Sequence, residues 1–388
     1  MDLTLTPELE AFRDEVRAFL EAHRSEYEAG QPKDARAWQR LLIENGYAAR
    51  TIPKAYGGYG AEPDVLKTRI IAEAFIAAGA PPGIANQGVS MLAPTLLEVG
   101  SEEQKTRWIG PTLRGEVVWC QGYSEPGAGS DLAALQTRAV EDGADFVITG
   151  SKIWTSTAHL ADMMFCLVRT EPEKPKHEGI SYVLIPMDTP GIEVRPLKTM
   201  TGGAEFNEVF FTDVRVPQAN VVGGRGRGWI VANTTLKHER GMLGDPNATE
   251  ARLAALIELM RTETVDGQRL IDDPALRDRL MQLQARVLSM KFNGLRVMTD
   301  ETAGLARLIV KLQGCELNHQ IAALAIDALG ELGVLYHDGP HLRAGGRWQW
   351  NYMFDLGLII GGGTAQIQKN IIAERGLGLP REPKTVEG

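Results

Sequence analysis

The feature that most constrains this fold is a double switch in apolar spacing along the chain. Up to about residue 117 apolar residues recur at helical intervals. From Val117 short runs rich in Val, Ile, Phe and Thr alternate with turn residues, and past Gly228 the helical spacing returns. In the first region Thr6-Pro7 makes a helix start. Leu9, Phe12, Val16, Phe19 and Leu20 then share one helical face. Residues 52–60 break the pattern as a glycine-rich turn, and Ile70, Ile71, Ala74 and Phe75 resume it. The same spacing recurs at Leu92, Leu96 and Leu97. Gly100-Ser101-Glu102-Glu103-Gln104 reads as a capped restart. In the middle region the runs 146–149, 163–169, 180–185, 192–197 and 209–216 predict strands, and Asp142-Gly143 predicts a hairpin. In the last region Leu253, Leu256, Ile257 and Met260 mark one face. Leu276, Leu280, Leu283, Val287 and Met290 follow near-heptad spacing, as in a bundle helix. A long helix over 305–329 is expected to be interrupted at Gly314.

With 388 residues, the chain is too long for one ordinary core. The pattern predicts an α+β multidomain protein. A helical domain (1–118) precedes a β domain (119–230) of barrel or sandwich type, and a helical bundle (231–388) follows. A net charge of −9 argues against binding to nucleic acid or an anionic membrane surface. Cys120, Cys166 and Cys315 are far apart and odd in number. That points to reduced thiols in a cytoplasmic protein, with no disulfide frame or zinc site. His337 and His341 lack a third ligand, so no metal is expected. No signal peptide is read at the N-terminus, and no apolar run approaches the ~20 residues of a membrane helix. Phosphate loops of the Walker type, nucleophile elbows and His-Glu-x-x-His motifs are absent from the sequence.

Three stretches carry chemistry. Tyr123-Ser124-Glu125-Pro126-Gly127-Ala128-Gly129-Ser130-Asp131 is a loop of small residues. Its glycines allow unusual backbone geometry and close approach of an anion. Ser124 and Ser130 add hydroxyl donors, and Asp131 can cap the next segment. It also reads as a plain surface turn. Trp154-Thr155-Ser156 offers an indole with hydroxyl neighbours, suited to a flat heteroaromatic ring, or a tryptophan within a β core. Gly361-Gly362-Gly363-Thr364-Ala365-Gln366-Ile367-Gln368 is a glycine-rich loop opening into a helix. Such a loop suits a phosphate or a developing oxyanion, or serves as a hinge between helices. Lys237-His238-Glu239-Arg240 lies early in the C-terminal helical region, and its Glu–Arg pair also reads as a solvated surface pair.

The order and spacing of these pieces resemble the acyl-CoA dehydrogenases over nearly the whole chain. The carriers are residues 123–131, 150–156, Glu205-Phe206-Asn207-Glu208-Val209-Phe210-Phe211, Asp213-Val214-Arg215-Val216-Pro217, Glu239-Arg240 and 362–368. The resemblance implies that family's three-domain fold, ending in a four-helix bundle, with FAD between the β domain and the C-terminal helices. It implies that Gln121, Tyr123 and Ser124 line the flavin ring and that Ser130 meets phosphate or pantetheine oxygen. Trp154 would pack on the flavin, Ser156 would approach its reactive nitrogen, and Thr364 and Gln366 would hold the ribityl or pyrophosphate part. The backbone N–H at Gly362 would bind the thioester carbonyl. The implied reaction is α,β-dehydrogenation of an acyl-CoA, with electron-transferring flavoprotein as the common acceptor in the family.

This sequence departs from the family pattern twice. Many members carry the catalytic carboxylate where Gly362 stands. Others, of isovaleryl and long-chain type, carry it just before the arginine that is here Arg240. Glu239 fills that place, which implies that Glu239 is the base and that Arg240 lies near the substrate. The family's Arg-x-x-Phe-Gly and Gln-x-x-Gly-Gly-x-Gly contacts to a neighbouring subunit's FAD read here as Glu263-Thr264-Val265-Asp266-Gly267 and Asp327-Ala328-Leu329-Gly330-Glu331-Leu332-Gly333. Those changes point to a mixed oligomer with a related subunit, or to a homo-oligomer with an altered adenine contact. Two alternatives keep the same fold: a flavin monooxygenase or oxidase on a non-CoA substrate, and a partner subunit serving assembly.

Overall fold

The computed structural model of the chain describes residues 5–242, 244–299, 304–337 and 339–381, with only the backbone described at 239–242, 298, 299, 304 and 305. The N-terminal helices are α1 (Pro7–Ala22), α2 (Ala35–Glu44), α3 (Val65–Ala78), α4 (Ala93–Val99) and α5 (Glu102–Leu113). Their ends follow local chemistry. Thr6 caps α1 by accepting from the Leu9 N–H, with Pro7 in the first turn. Ser101 and Gln104 close a reciprocal capping box at the start of α5. On α1, Leu9, Val16 and Leu20 are buried, as their spacing predicts.

The strands of the main sheet are β1 (Trp119–Gly122), β2 (Arg138–Asp142), β3 (Asp145–Ser156), β4 (Met163–Arg169), β5 (Ile180–Pro186), β6 (Ile192–Leu197), β7 (Phe206–Pro217) and β8 (Val221–Val222). They form one eight-stranded sheet in the order β8-β5-β4-β2-β3-β7-β6, with β1 pairing β4 in parallel. Asp142 pairs with Asp145 across the β2–β3 hairpin, and Gly143 takes φ 65° in its two-residue loop. Strand β4 is buried on both faces. Phe165 and Leu167 join the core shared with Leu92, Leu96, Ile109 and Leu113, whereas Met164, Cys166 and Val168 join Phe146, Ile148, Val209 and Phe211 on the other side. Packing of the N-terminal helices on one sheet face accounts for their grouping with the strands. The contacts divide the chain into two compact units, one of residues 1–197 and 204–238, the other of residues 198–203 and 239–388.

Helix α6 (Gly228–Met242) runs across that division. The second unit holds α7 (Pro246–Thr262), α8 (Pro274–Thr299), α9 (Gly304–Leu329), α10 (Arg347–Ile360) and α11 (Ala365–Ile371). Its core joins Leu253, Leu256 and Met260 of α7 to Leu280, Leu283, Val287 and Met290 of α8. Leu317, Ile321 and Leu324 of α9 and Trp348 of α10 complete it. Gly314 does not interrupt α9, contrary to the sequence expectation. A Cβ there would lie 2.3 Å from the Gly244 Cα, so this glycine allows two backbones to meet.

Candidate active site

Strand β1 delivers the loop 123–131 to the end of β3. The backbone carbonyl of Ser124 accepts from the Ile153 N–H at 2.8 Å, which ties the loop to β3 beside Trp154. Strand β3 carries one extra residue there. Lys152 pairs with Val209 and Thr155 with Asn207, so β3 advances three residues while β7 advances two. This bulge turns Trp154 outward at φ 60°, and the residue is 58% exposed. Its ring meets Phe206 edge to face, with centroids 6.1 Å apart. A bulky residue in the left-handed region costs about 1–3 kcal/mol and persists where its surroundings impose it. Thr157 also has positive φ, 57°, and its N–H donates to the Glu205 carbonyl at 2.9 Å. Trp154 is therefore not a tryptophan buried within the β core.

Among the other candidates in this unit, Tyr123 is buried, Gln121, Ser124 and Ser156 are half-buried, and Ser130 is exposed. Two sequence expectations for the loop need correction. Asp131 caps nothing with its side chain. The short 3-10 helix Leu132–Ala134 behind it has no side-chain cap, and the carboxylate instead pairs with Lys176 at 2.9 Å. Gly127 and Gly129 do not use left-handed geometry either. A Cβ on either would meet nothing within 4 Å, so they supply open space at an exposed loop.

The loop is anchored from beneath by a buried ion pair that sequence reasoning missed. Lys152 is fully buried, and its Nζ donates to Glu125 Oε1 at 2.7 Å and to the Tyr123 carbonyl at 3.2 Å. Glu125 also accepts from the N–H groups of Gln136 at 2.6 Å and Thr137 at 2.9 Å. Burial alone would raise the Glu125 carboxyl. The charge of Lys152 and hydrogen bonds from Lys152, Thr137 and Gln136 outweigh burial and hold it below its ordinary value. The available signal was the alternation Phe146, Ile148, Gly150, Lys152. A lysine at an inward position of a strand requires a buried acid.

In the second unit the glycine-rich loop links α10 to α11. Gly362 and Gly363 adopt φ 65° and 90°. Thr364 caps α11 by accepting from the Ile367 N–H at 3.2 Å, and Gln366 is exposed. The loop carbonyls are bound from within. Gln368 Nε2 donates to the Gly362 carbonyl at 3.0 Å, and Lys311 Nζ donates to Gly363 at 2.7 Å and Ile359 at 3.1 Å. The side chains of Glu239 and Arg240 lie outside the described residues. Their neighbour His238 is described, with Nε2 2.9 Å from Glu98 Oε1.

The carboxylates at the two departures from the family pattern are occupied. Glu263 accepts from Arg343 at 2.8 Å, and Asp327 accepts from Arg279 at 2.6 Å. Asp266 and Gly267 form a tight turn between the short strands Thr264–Val265 and Gln268–Arg269, with φ 51° and 79°. Among the described residues no cluster of three His, Cys, Asp or Glu side chains is placed to hold a metal ion. All three cysteines are buried and free. No described helix is long and apolar enough to cross a membrane.

Comparison with known proteins agrees along nearly the whole chain. Residues 6–116, 120–214 and 226–377 match the sequence families described as acyl-CoA dehydrogenase N-terminal, middle and C-terminal domains. The acyl-CoA dehydrogenase IpdE1 of Mycobacterium tuberculosis is 38% identical over 395 residues, covering 97% of this chain and 99% of the relative. A solved structure described as the Tcur3481-Tcur3483 steroid ACAD superposes with a TM-score of 0.81 at 31% identity, covering 98% of this chain and 100% of the other. The ChsE4-ChsE5 complex from Mycobacterium tuberculosis superposes with a TM-score of 0.81 at 32% identity, with the same coverage.

Proposed function

Because the chain belongs to the acyl-CoA dehydrogenase family, we propose that it converts an acyl-CoA thioester to the trans-2-enoyl-CoA, with FAD as cofactor and Glu239 as base. The supporting observation is Trp154, a motif residue turned outward by a bulge and a left-handed backbone. An exposed indole flanked by the half-buried hydroxyls of Ser124 and Ser156 fits a flat heteroaromatic ring that stacks on one face and accepts hydrogen bonds at its edge. Gln121 and Tyr123 complete that lining. Ser130 serves phosphate or pantetheine oxygen, and Thr364 and Gln366 serve the ribityl or pyrophosphate part.

Glu239 takes the α-proton onto its carboxylate, and Arg240 balances charge beside it. The N–H of Gly362 donates to the thioester oxygen, where negative charge grows as the proton leaves. When bound, FAD supplies the acceptor for the hydrogen and electron pair that leave Cβ. Glu239 argues against the monooxygenase or oxidase alternative, since a base at that place serves α-proton removal.

The substrate class we propose is a bulky, ring-bearing acyl-CoA. Gly362 has no side chain where many relatives carry a carboxylate, and a similar solved structure is described as a steroid ACAD. We further propose a mixed oligomer with a related subunit. The Glu263–Arg343 and Asp327–Arg279 pairs occupy the segments from which family members reach a neighbour's FAD. A similar solved structure is described as a complex of two chains, ChsE4 and ChsE5. Electron-transferring flavoprotein is the proposed acceptor. The assembly is tested by flavin-to-protein stoichiometry with mass determination in solution. Fewer than one FAD per chain in a mixed oligomer is expected, and a homotetramer with full FAD occupancy contradicts it.

A further inference from the structure

Asn207 is a buried polar residue that the proposed reaction leaves unused. It is the second residue of β7, opposite Thr155, just past the bulge that exposes Trp154. Its Nδ2 donates to the Thr155 backbone carbonyl at 2.9 Å, and its Oδ1 lies 3.1 Å from His159 Nδ1. The carboxamide oxygen can only accept, so His159 presents a protonated Nδ1 to it. Turning the amide over would set its oxygen against the Thr155 carbonyl, so the carbonyl fixes the side chain's orientation.

The Thr155 carbonyl and the Ser156 N–H belong to one planar peptide. Holding the carbonyl therefore sets where Ser156 points. On either side the backbone is in the left-handed region, at Trp154 with φ 60° and at Thr157 with φ 57°. The Ile153 and Thr157 N–H groups are taken by the Ser124 and Glu205 carbonyls. Thr157 Oγ1 donates to the Ser156 carbonyl at 2.7 Å, and Asn207 holds the peptide between the two proposed flavin contacts.

We infer that Asn207, oriented by His159, is a positioning residue that fixes the Thr155–Ser156 peptide against the flavin ring. The inference rests on the FAD reading proposed above. Asn207 touches neither substrate nor cofactor and acts through Ser156. Replacing it removes the side-chain donor from a carbonyl that the pairing of Thr155 with Asn207 and of Ser156 with Phe206 also holds, so the peptide loosens while the fold's core contacts persist.

The test uses the full chain, in the oligomer in which it purifies, as wild type, Asn207→Leu and His159→Ala. FAD affinity is measured by titrating the apoprotein, together with the visible spectrum and midpoint potential of bound FAD and the melting temperature of the apoprotein. Asn207→Leu should weaken FAD binding roughly tenfold and alter both spectrum and potential. His159 is exposed, so His159→Ala should shift the same flavin readouts in the same direction, by less, at unchanged apoprotein melting temperature. If Asn207→Leu does not fold, His159→Ala decides by the same readouts. Wild-type affinity, spectrum and potential in the folded variants overturn the inference, whatever happens to stability. A wild-type chain that takes up no FAD overturns the functional reading itself, which separates the two failures.

Discussion

Glu239→Gln should lower the rate of substrate-dependent flavin reduction by about 10²–10⁴-fold, the usual contribution of a general base. FAD content and acyl-CoA binding should stay nearly intact, because the substitution keeps shape and removes only the basic oxygen. The family pattern leaves one place for the base. The usual carboxylate place holds Gly362, and Glu239 stands in the alternative place before Arg240. A carboxylate that removes an α-proton must lie within about 3–4 Å of the carbon and be screened from water. Placing glutamate at 362 in the Glu239→Gln background should restore part of the rate, since both places face the same carbon in the family. A surface Glu–Arg pair would instead predict a nearly unchanged rate. Rapid-mixing flavin reduction measures the difference, and reduction at the original rate in Glu239→Gln removes the assignment.

Lys152→Met should destabilise the first unit by about 3–5 kcal/mol, the usual consequence of leaving one member of a buried ion pair alone. Lys152 is fully buried, and its ammonium is the counter-charge for Glu125. The same substitution removes the donor to the Tyr123 carbonyl, so the loop 123–131 loses its anchor and FAD retention should fall with stability. Glu125→Gln combined with Lys152→Met should recover part of the loss. The amide oxygen can still accept from a loop N–H, and no buried charge remains uncompensated. Urea unfolding of the apoproteins reads the effect, and a loss below about 1 kcal/mol in Lys152→Met would show the pair to be dispensable.

The pair also carries a pH signature. The folded-state value of Glu125 lies below the ordinary 4.5, so its contribution is fully present above that pH and fades as pH falls through the folded value. The wild type should therefore lose more stability on acidification than the double variant does.

Much of this architecture was legible because its signals are local. The Thr6 cap, the Ser101–Gln104 box, the Asp142-Gly143 hairpin and the stripe on α8 each lie within a few residues of sequence. So do the strand runs, although β1 and β2 were not read individually. The family-matched motifs led to the proposed site residues in the same way.

What escaped was long-range or conformational. Glu125 and Lys152 are 27 residues apart, and Asn207 and Thr155 are 52 apart, so neither partnership shows as a spacing. Gly314 looks like a helix breaker in one dimension, but its purpose is close approach to Gly244. The outward turn of Trp154 depends on a one-residue mismatch between β3 and β7, which neither strand reveals alone. Asp131 read as a cap from its position before a short apolar run, but Lys176 supplies a stronger partner from 45 residues away.

The central claim is that this chain oxidises an acyl-CoA by way of FAD. Its most direct test is anaerobic titration of the purified, FAD-loaded protein, with its partner subunit where one co-purifies, against a panel of straight, branched and ring-bearing acyl-CoA thioesters. The visible flavin band should bleach on addition of a bulky, ring-bearing acyl-CoA, with enoyl-CoA formed in equal amount to flavin reduced. A protein that stays colourless after reconstitution with FAD, or a flavin that no acyl-CoA bleaches, would contradict it.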